Sequence, residues 1–207
     1  MGDRPILHEY AASGNCYKIR LTAALLECPI ERREYDIMKG ETRTPDFLTN
    51  VNANGRIPVL QVGDRFLPES NAACYWLADG THLIPYDRFE RADMLRWMFF
   101  EQYNHEPNVA TLRFWMKWIG ADNLSEMQRM LIPAKQEAGR AALALMDEHL
   151  AAHDWLAGHD LSLADICLYA YTHVAEDGGL FALADYPAVQ RWIARVEAEP
   201  GFVMMGA

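Results

Sequence analysis

Apolar and polar positions along this chain change their period once, near residue 80. Before that point, short strand-like runs take turns with a helical repeat. "PILHEY" (5–10) reads as a strand, and residues 16–27 place Cys16, Ile19, Ala23 and Leu26 on one helical stripe. "IERREYDI" alternates as a second strand does, and "TPDFLTNV" suits a short helix. Two brief apolar runs around Gly63-Asp64 in "IPVLQVGDRFLPES" predict a hairpin, and "SNAACYWLAD" is helical again. The order is β-α-β-α-β-β-α. It predicts a thioredoxin-like α/β domain over residues 1–80, with a small mixed sheet covered by helices.

Beyond Gly80 the pattern is helical. "THLIPYDRFE" has a proline and no period, so 81–90 is expected to be a linker. A long aromatic-rich helix follows, with Pro107 inside it, where a missing N–H and a ring clash should kink or break it. Residues 125–151 form a second long helix, with Pro133 near its beginning. In "LSLADICLYAYTHV", Ser162 is the expected N-cap and Asp165 the third helical residue, flanked by Leu161 and Ile166 as a hydrophobic staple. Pro187 opens the last helix and Pro200 follows it. The fold class is therefore α+β: the α/β domain, then an all-α domain over 91–207.

Composition narrows the functional classes. Of 207 residues 51% are hydrophobic, enough for a full core without disulfides or metals. The net charge of -10 argues against a nucleic-acid partner, which needs clustered Lys and Arg. No apolar run approaches the roughly 20 residues of a membrane span. "MGDRPILHEY" lacks a signal-peptide profile, and Ile6 stands where a myristoylation signal has Ser or Thr. A cytoplasmic location is expected. The four cysteines, Cys16, Cys28, Cys74 and Cys167, form no C-x-x-C pair and sit among apolar residues, as buried, reduced thiols do. His149 and His153 are four apart but have no third ligand nearby, so no metal is expected.

Three polar stretches interrupt the first domain. Ser13-Gly14-Asn15-Cys16 stands where a redox protein carries C-x-x-C, with serine in place of the first cysteine. The start of a helix offers free N–H groups and positive potential, which stabilise a thiolate; Ser13 or Asn15 can equally be a plain helix cap. In "NANGRIPVL", the Ile57-Pro58 bond is a candidate cis peptide whose neighbouring backbone can pair with an extended peptide; an ordinary proline-opened strand is the alternative. In "LPESNAACYWL", Ser70 is a candidate N-cap and anion site, and Glu69 beside it a candidate partner for an ammonium. In this order the three suit a peptide with an amino-acid head and a thiol in its middle, which describes glutathione.

"SGNCYKIRL", "NGRIPVL" and "PESNAACYWLAD" resemble the glutathione-binding motifs of cytosolic glutathione transferases, close to bacterial theta- and nu-like members. The resemblance covers nearly the whole chain. It implies a homodimer that conjugates glutathione, as co-substrate, to a small hydrophobic electrophile. Ser13 and Asn15 resemble the residues that bind the glutathione sulfur. Ile57, ahead of Pro58, would bind the cysteinyl backbone, Glu69 and Ser70 the γ-glutamyl group, and Arg56 and Thr42 the glycine end. Thr42 stands where relatives often have histidine, and Asn52-Ala53 replaces the usual N-P. The acceptor is expected against the helical half, with Tyr10, Tyr103, Glu106 and Arg113 as candidate contacts. A glutathione-dependent disulfide reductase or peroxidase on the same fold, and a non-catalytic dimeric interaction module, are the alternatives.

Overall fold

The computed structural model describes residues 4–206. The Met1-Gly2 start considered above for acylation lies outside them. Two compact units divide the chain. One runs up to Thr81 and is taken up again from Glu199 onward; the other is His82–Ala198.

The first unit contains β1 (Ile6–Glu9), α1 (Gly14–Leu25), β2 (Glu31–Glu34), α2 (Pro45–Asn50), β3 (Val59–Val62), β4 (Arg65–Pro68) and α3 (Ser70–Ala78). The sheet order is β2-β1-β3-β4, with β1 parallel to β2 and the other pairs antiparallel. This is the mixed sheet that the pattern predicts. Leu7 faces Leu60 across β1 and β3, and both are fully buried. A one-residue slip would turn them to the other face, so burial sets the register.

β2 forms for a different reason. All four of its residues, Glu-Arg-Arg-Glu, are exposed, so alternating burial does not hold it. Backbone pairing does: Glu31 N–H donates to Pro5 O and Tyr35 N–H to Glu9 O, each at 2.8 Å. A charged edge strand also discourages pairing with other chains.

Helix α1 is closed on every side. Cys16, Ile19 and Ala23 are buried as the stripe predicts, but so are Tyr17, Lys18, Arg20, Leu21 and Thr22. Leu26 falls at the C-cap and is only half-buried. Arg20 is held by the buried Glu9 carboxylate at 3.3 Å, and Arg32 of β2 reaches the same carboxylate. Arg20 also donates to Ala11 O (2.7 Å) and Met205 O (2.9 Å), and Tyr17 Oη–H donates to Val203 O (2.7 Å). These bonds tie the end of the chain to α1. The sequence reading assigned that segment to the helical half; the structure groups residues from Glu199 onward with the first unit.

The second unit contains α4 (Arg88–Phe100), α5 (Glu106–Phe114), α6 (Glu126–Leu150), α7 (Leu163–Thr172) and α8 (Pro187–Glu197). Asp87 caps α4 by accepting from Phe89 N–H (2.8 Å) and Glu90 N–H (3.0 Å), so helix begins inside the stretch expected to be a linker. At Pro107, where a kink or break is expected, the regular α-helix is interrupted but the helical chain continues. A π turn, Glu101–His105, precedes the proline, and Glu106 N–H bonds to Glu101 O five residues back. The wider turn makes room for a ring that an α-helical turn would not accept. Pro133 lies inside α6 and the helix runs through it.

Asp165 ties three elements of this unit together. Its carboxylate accepts from Ser162 N–H and Oγ–H, both 3.0 Å, and from Leu156 N–H and Trp192 Nε1–H, both 2.9 Å. Leu161 and Ile166, the expected staple, are both buried. Complete burial nevertheless pushes the Asp165 carboxyl up to about 6, against the pull of those four donors. Between the unfolded value of about 4 and this folded value, the folded state holds the extra proton. The contribution of Asp165 to stability therefore falls as pH rises from about 4 to 6, by up to about 3 kcal/mol. Asp165→Asn turns an amide N–H2 toward donors and should cost about 2–4 kcal/mol. Urea denaturation from acid to neutral pH should show both the lower stability and a flatter pH dependence.

Candidate active site

The loop between β1 and α1 is set by backbone bonds. Ser13 N–H donates to Tyr10 O at 2.9 Å, and Ser13 Oγ accepts from Cys16 N–H at 3.4 Å. Ser13 is thus the N-cap of α1. Its cap bond uses an oxygen lone pair and leaves the O–H able to donate. The helix starts two residues earlier than the stripe predicts, so Asn15 stands within its first turn, not ahead of it. Tyr10 is half-buried and donates its N–H to Cys16 Sγ at 3.4 Å. Complete burial pushes the Cys16 thiol up to about 12, opposed by the Tyr10 N–H and Ser13. Cys16 is core, as expected, and is no nucleophile at neutral pH. Cys28 departs from expectation: it is half-buried, while Cys74 and Cys167 are fully buried.

The second piece of the site lies at the start of β3. The Ile57-Pro58 peptide is cis, as the sequence suggests. Ile57 sits two residues before Val59, which pairs with His8 and Pro68, so the Ile57 peptide lies past the end of the ladder. The preceding loop is braced by Arg43, whose Nη1 donates to Asn54 O at 3.0 Å. Gly55 lies under that guanidinium with φ +61°, and a Cβ there would approach Arg43 Nη1 to 2.5 Å. The brace brings the turn that contains buried Thr42 beside the loop that presents exposed Arg56. Arg43 and Gly55 were not singled out from the sequence; the N-G of "NANGR" was the available signal.

The third piece is the start of α3. Glu69, not Ser70, is the N-cap; Ser70 is the first helical residue. Glu69 is exposed and has φ +72° and ψ +112° without a side-chain cap bond. Such a backbone costs about 1–3 kcal/mol for a residue with a side chain, and strain of this kind concentrates at functional sites. Ser70 Oγ–H donates to Asn15 Oδ1 at 3.2 Å. That bond joins the first and third pieces. Behind it lies Lys18, fully buried, donating to Ser70 Oγ (3.5 Å) and Asn71 Oδ1 (3.1 Å). Neither Lys18 nor Asn71 was singled out. The three-residue spacing of Asn15 and Lys18 was a legible sign that they share a face.

Family models match both halves: the glutathione S-transferase N-terminal domain over residues 6–79 and its C-terminal domain over residues 109–200. The chain belongs to the glutathione S-transferase family. The crystal structure of a glutathione S-transferase from Pseudomonas fluorescens is similar with a TM-score of 0.91 at 42% identity, over 98% of this chain and 99% of that one. A protein from Rhodopseudomonas palustris, described as a possible glutathione S-transferase, is similar with a TM-score of 0.92 at 43% identity, over 99% of each chain. Glutathione S-transferase 2 of Anopheles gambiae is 28% identical over 195 residues, 91% of this chain and 88% of its own.

In the second unit of this transferase the expected acceptor contacts have separate fates. Tyr103 is 79% exposed. Glu106 is half-buried and accepts from Gln102 Nε2–H at 2.7 Å. Arg113 is buried in an ion pair with Asp177 at 2.9 Å and lies over the Trp118 ring, which occupies its guanidinium. Tyr103 is thus open to solvent, whereas Arg113 is turned inward to Asp177. Among the described residues, no group of three His, Cys, Asp or Glu is arranged to hold a metal.

Glu69 supplies the test of the third piece. Glu69→Gly relieves the left-handed strain, and glycine's greater unfolded-chain entropy offsets part of the gain. The melting temperature should hold or rise while glutathione affinity drops about tenfold or more, as befits the loss of a charged partner. Glu69→Ala should lose the same affinity and keep the strain. Calorimetric melting and glutathione titration of both proteins check this.

Proposed function

We propose that this transferase ionises the thiol of bound glutathione at the start of α1 and conjugates it to small hydrophobic electrophiles. The Ser70–Asn15 hydrogen bond is the observation that carries the reading. It joins the first turn of α1, assigned here to the sulfur, to the first turn of α3, assigned to the γ-glutamyl head, and so supports their serving one ligand. Glu69 and the first turn of α3 receive the amino-acid head: the carboxylate takes its ammonium and the helix N–H groups its carboxylate. Ile57 pairs with the cysteinyl backbone as a short added strand. Arg56, with Thr42, serves the glycine carboxylate.

The sulfur then lies near Ser13 and Asn15. Asn15 accepts from Ser70 at Oδ1, and its amide Nδ2–H2 is the donor assigned here to the sulfur. Ser13 has its O–H. A free thiol has a pKa of about 8.5, so only a few per cent is ionised at neutral pH. Two donors and the positive end of α1 favour the thiolate, and each unit of depression corresponds to about 1.4 kcal/mol. The proton passes to water. The sulfur electron pair then forms the C–S bond, and the leaving group departs with its own bonding pair. No protein nucleophile takes part, which suits a Cys16 that is sealed in the core. Of the candidate acceptor contacts, Tyr103 is exposed, and we expect a homodimer in the cytoplasm. No helix among the described residues is long and apolar enough to cross a membrane.

The deciding measurement is the thiolate absorbance of bound glutathione from acid to alkaline pH. The expected pKa lies at least about one unit below the free value. A pKa at the free value, or no binding, would refute the reading. Turnover of an aromatic halide in preference to a mixed disulfide would separate conjugation from disulfide reduction. Ser13→Ala should keep partial halide turnover through Asn15 and lose about 1 kcal/mol of stability with the cap.

A further inference from the structure

We propose that Lys18 is a positioning residue of the thiolate site, acting through Ser70 on Asn15; this rests on the site reading above. Lys18 follows Asn15 by three residues on α1 and is fully buried, so it touches no ligand. Its Nζ donates to Ser70 Oγ, and Ser70 Oγ–H donates in turn to Asn15 Oδ1. The second Nζ contact, to Asn71 Oδ1 at 3.1 Å, holds the amine at the start of α3.

A lysine in a closed core position is costly compared with Met or Leu, which would fill the same space. Packing alone gives no reason for one here. The direction of the hydrogen bonds does. An amine donating to a hydroxyl makes that hydroxyl a stronger donor, and the bond passed to Oδ1 strengthens the amide N–H at the other end of Asn15. A donor to sulfur is strengthened in this way, and a positive group is placed behind the site where two negative charges, the γ-glutamyl carboxylate and the thiolate, must coexist. The same chain orients Ser70 and Asn15 before glutathione arrives.

The other ionisable groups on the packed elements are accounted for. Arg20 is paired with Glu9, the Cys16 thiol is pushed up to about 12, and Tyr17 donates to Val203 O. Cys74 is buried, Tyr75 is half-buried, and Glu69 is the exposed carboxylate at the start of α3.

Lys18→Met keeps the length and volume and removes both donor and charge. The test compares the pKa of the glutathione thiol bound to each protein, the affinity for S-methylglutathione, and kcat/KM across pH. Lys18→Met should raise the bound-thiol pKa by about one unit. At about pH 6.5 kcat/KM should fall about tenfold, and the deficit should vanish at alkaline pH, where the thiol ionises unaided. S-methylglutathione, which has no thiol, should bind with less than about a threefold loss. Lys18→Gln keeps a donor without the charge and makes the same comparison if the Met variant does not fold. A lower melting temperature with an unchanged thiol pKa would make Lys18 only a clamp between α1 and α3; the proposal would fall and the site reading would stand. If the wild-type protein binds no glutathione, or binds it with the free thiol pKa, both fall together.

Discussion

Helix α1 is buried on all faces from Cys16 to Ala23, and the first unit is organised around that constraint. A helix sealed on all sides must satisfy every polar side chain it carries. Arg20 is satisfied by the Glu9 carboxylate and by carbonyls of the preceding loop and of the chain's last residues. Lys18 is satisfied by Ser70 and Asn71 at the head of α3. One basic residue thus fastens the tail and the other fastens α3. The first turn of α1, which carries Ser13 and Asn15, is held against the first turn of α3, which follows Glu69. The Ser70–Asn15 bond thus brings two helix N-termini together, and helix N-termini favour anions.

The second unit solves the matching problem with one carboxylate. Asp165 is completely buried and accepts hydrogen bonds from the start of its own helix, from the loop before it and from the Trp192 indole of α8. Four donors around two oxygens leave few unmet hydrogen-bonding needs. Burial still opposes the charge, so this junction costs part of what it gains by joining three segments. The π turn before Pro107 is a local solution of another kind: the helix widens by one residue instead of breaking.

Strain and burial differ among the candidate site residues: Glu69 is exposed on a strained backbone, whereas Ser70 and Thr42 are buried. The role proposed for Ser13 and Asn15 is that of fixed donors, and fixed donors require the rigid backing that α1 and α3 give each other.

The sequence by itself determined the element order, the mixed-sheet domain followed by a helical one, the Ser162–Asp165 helix start and the core position of Cys16, and it marked Pro58 as a candidate cis peptide. Each of these depends on near neighbours in the chain: period, turn residues, caps and a proline. Three polar stretches in the right order also sufficed to suggest glutathione and the family. The tertiary structure decided what depended on distant partners. It moved the cap of α3 from Ser70 to Glu69, drew the chain's end back to the first unit, turned Arg113 inward to Asp177, and placed Lys18 behind Ser70. A lysine or arginine in a periodic pattern reads as a solvated face, because the charge favours water. Only the packed structure shows where enough acceptors converge, from segments 50 or more residues apart in the case of Lys18 with Ser70 and Asn71, to keep it buried.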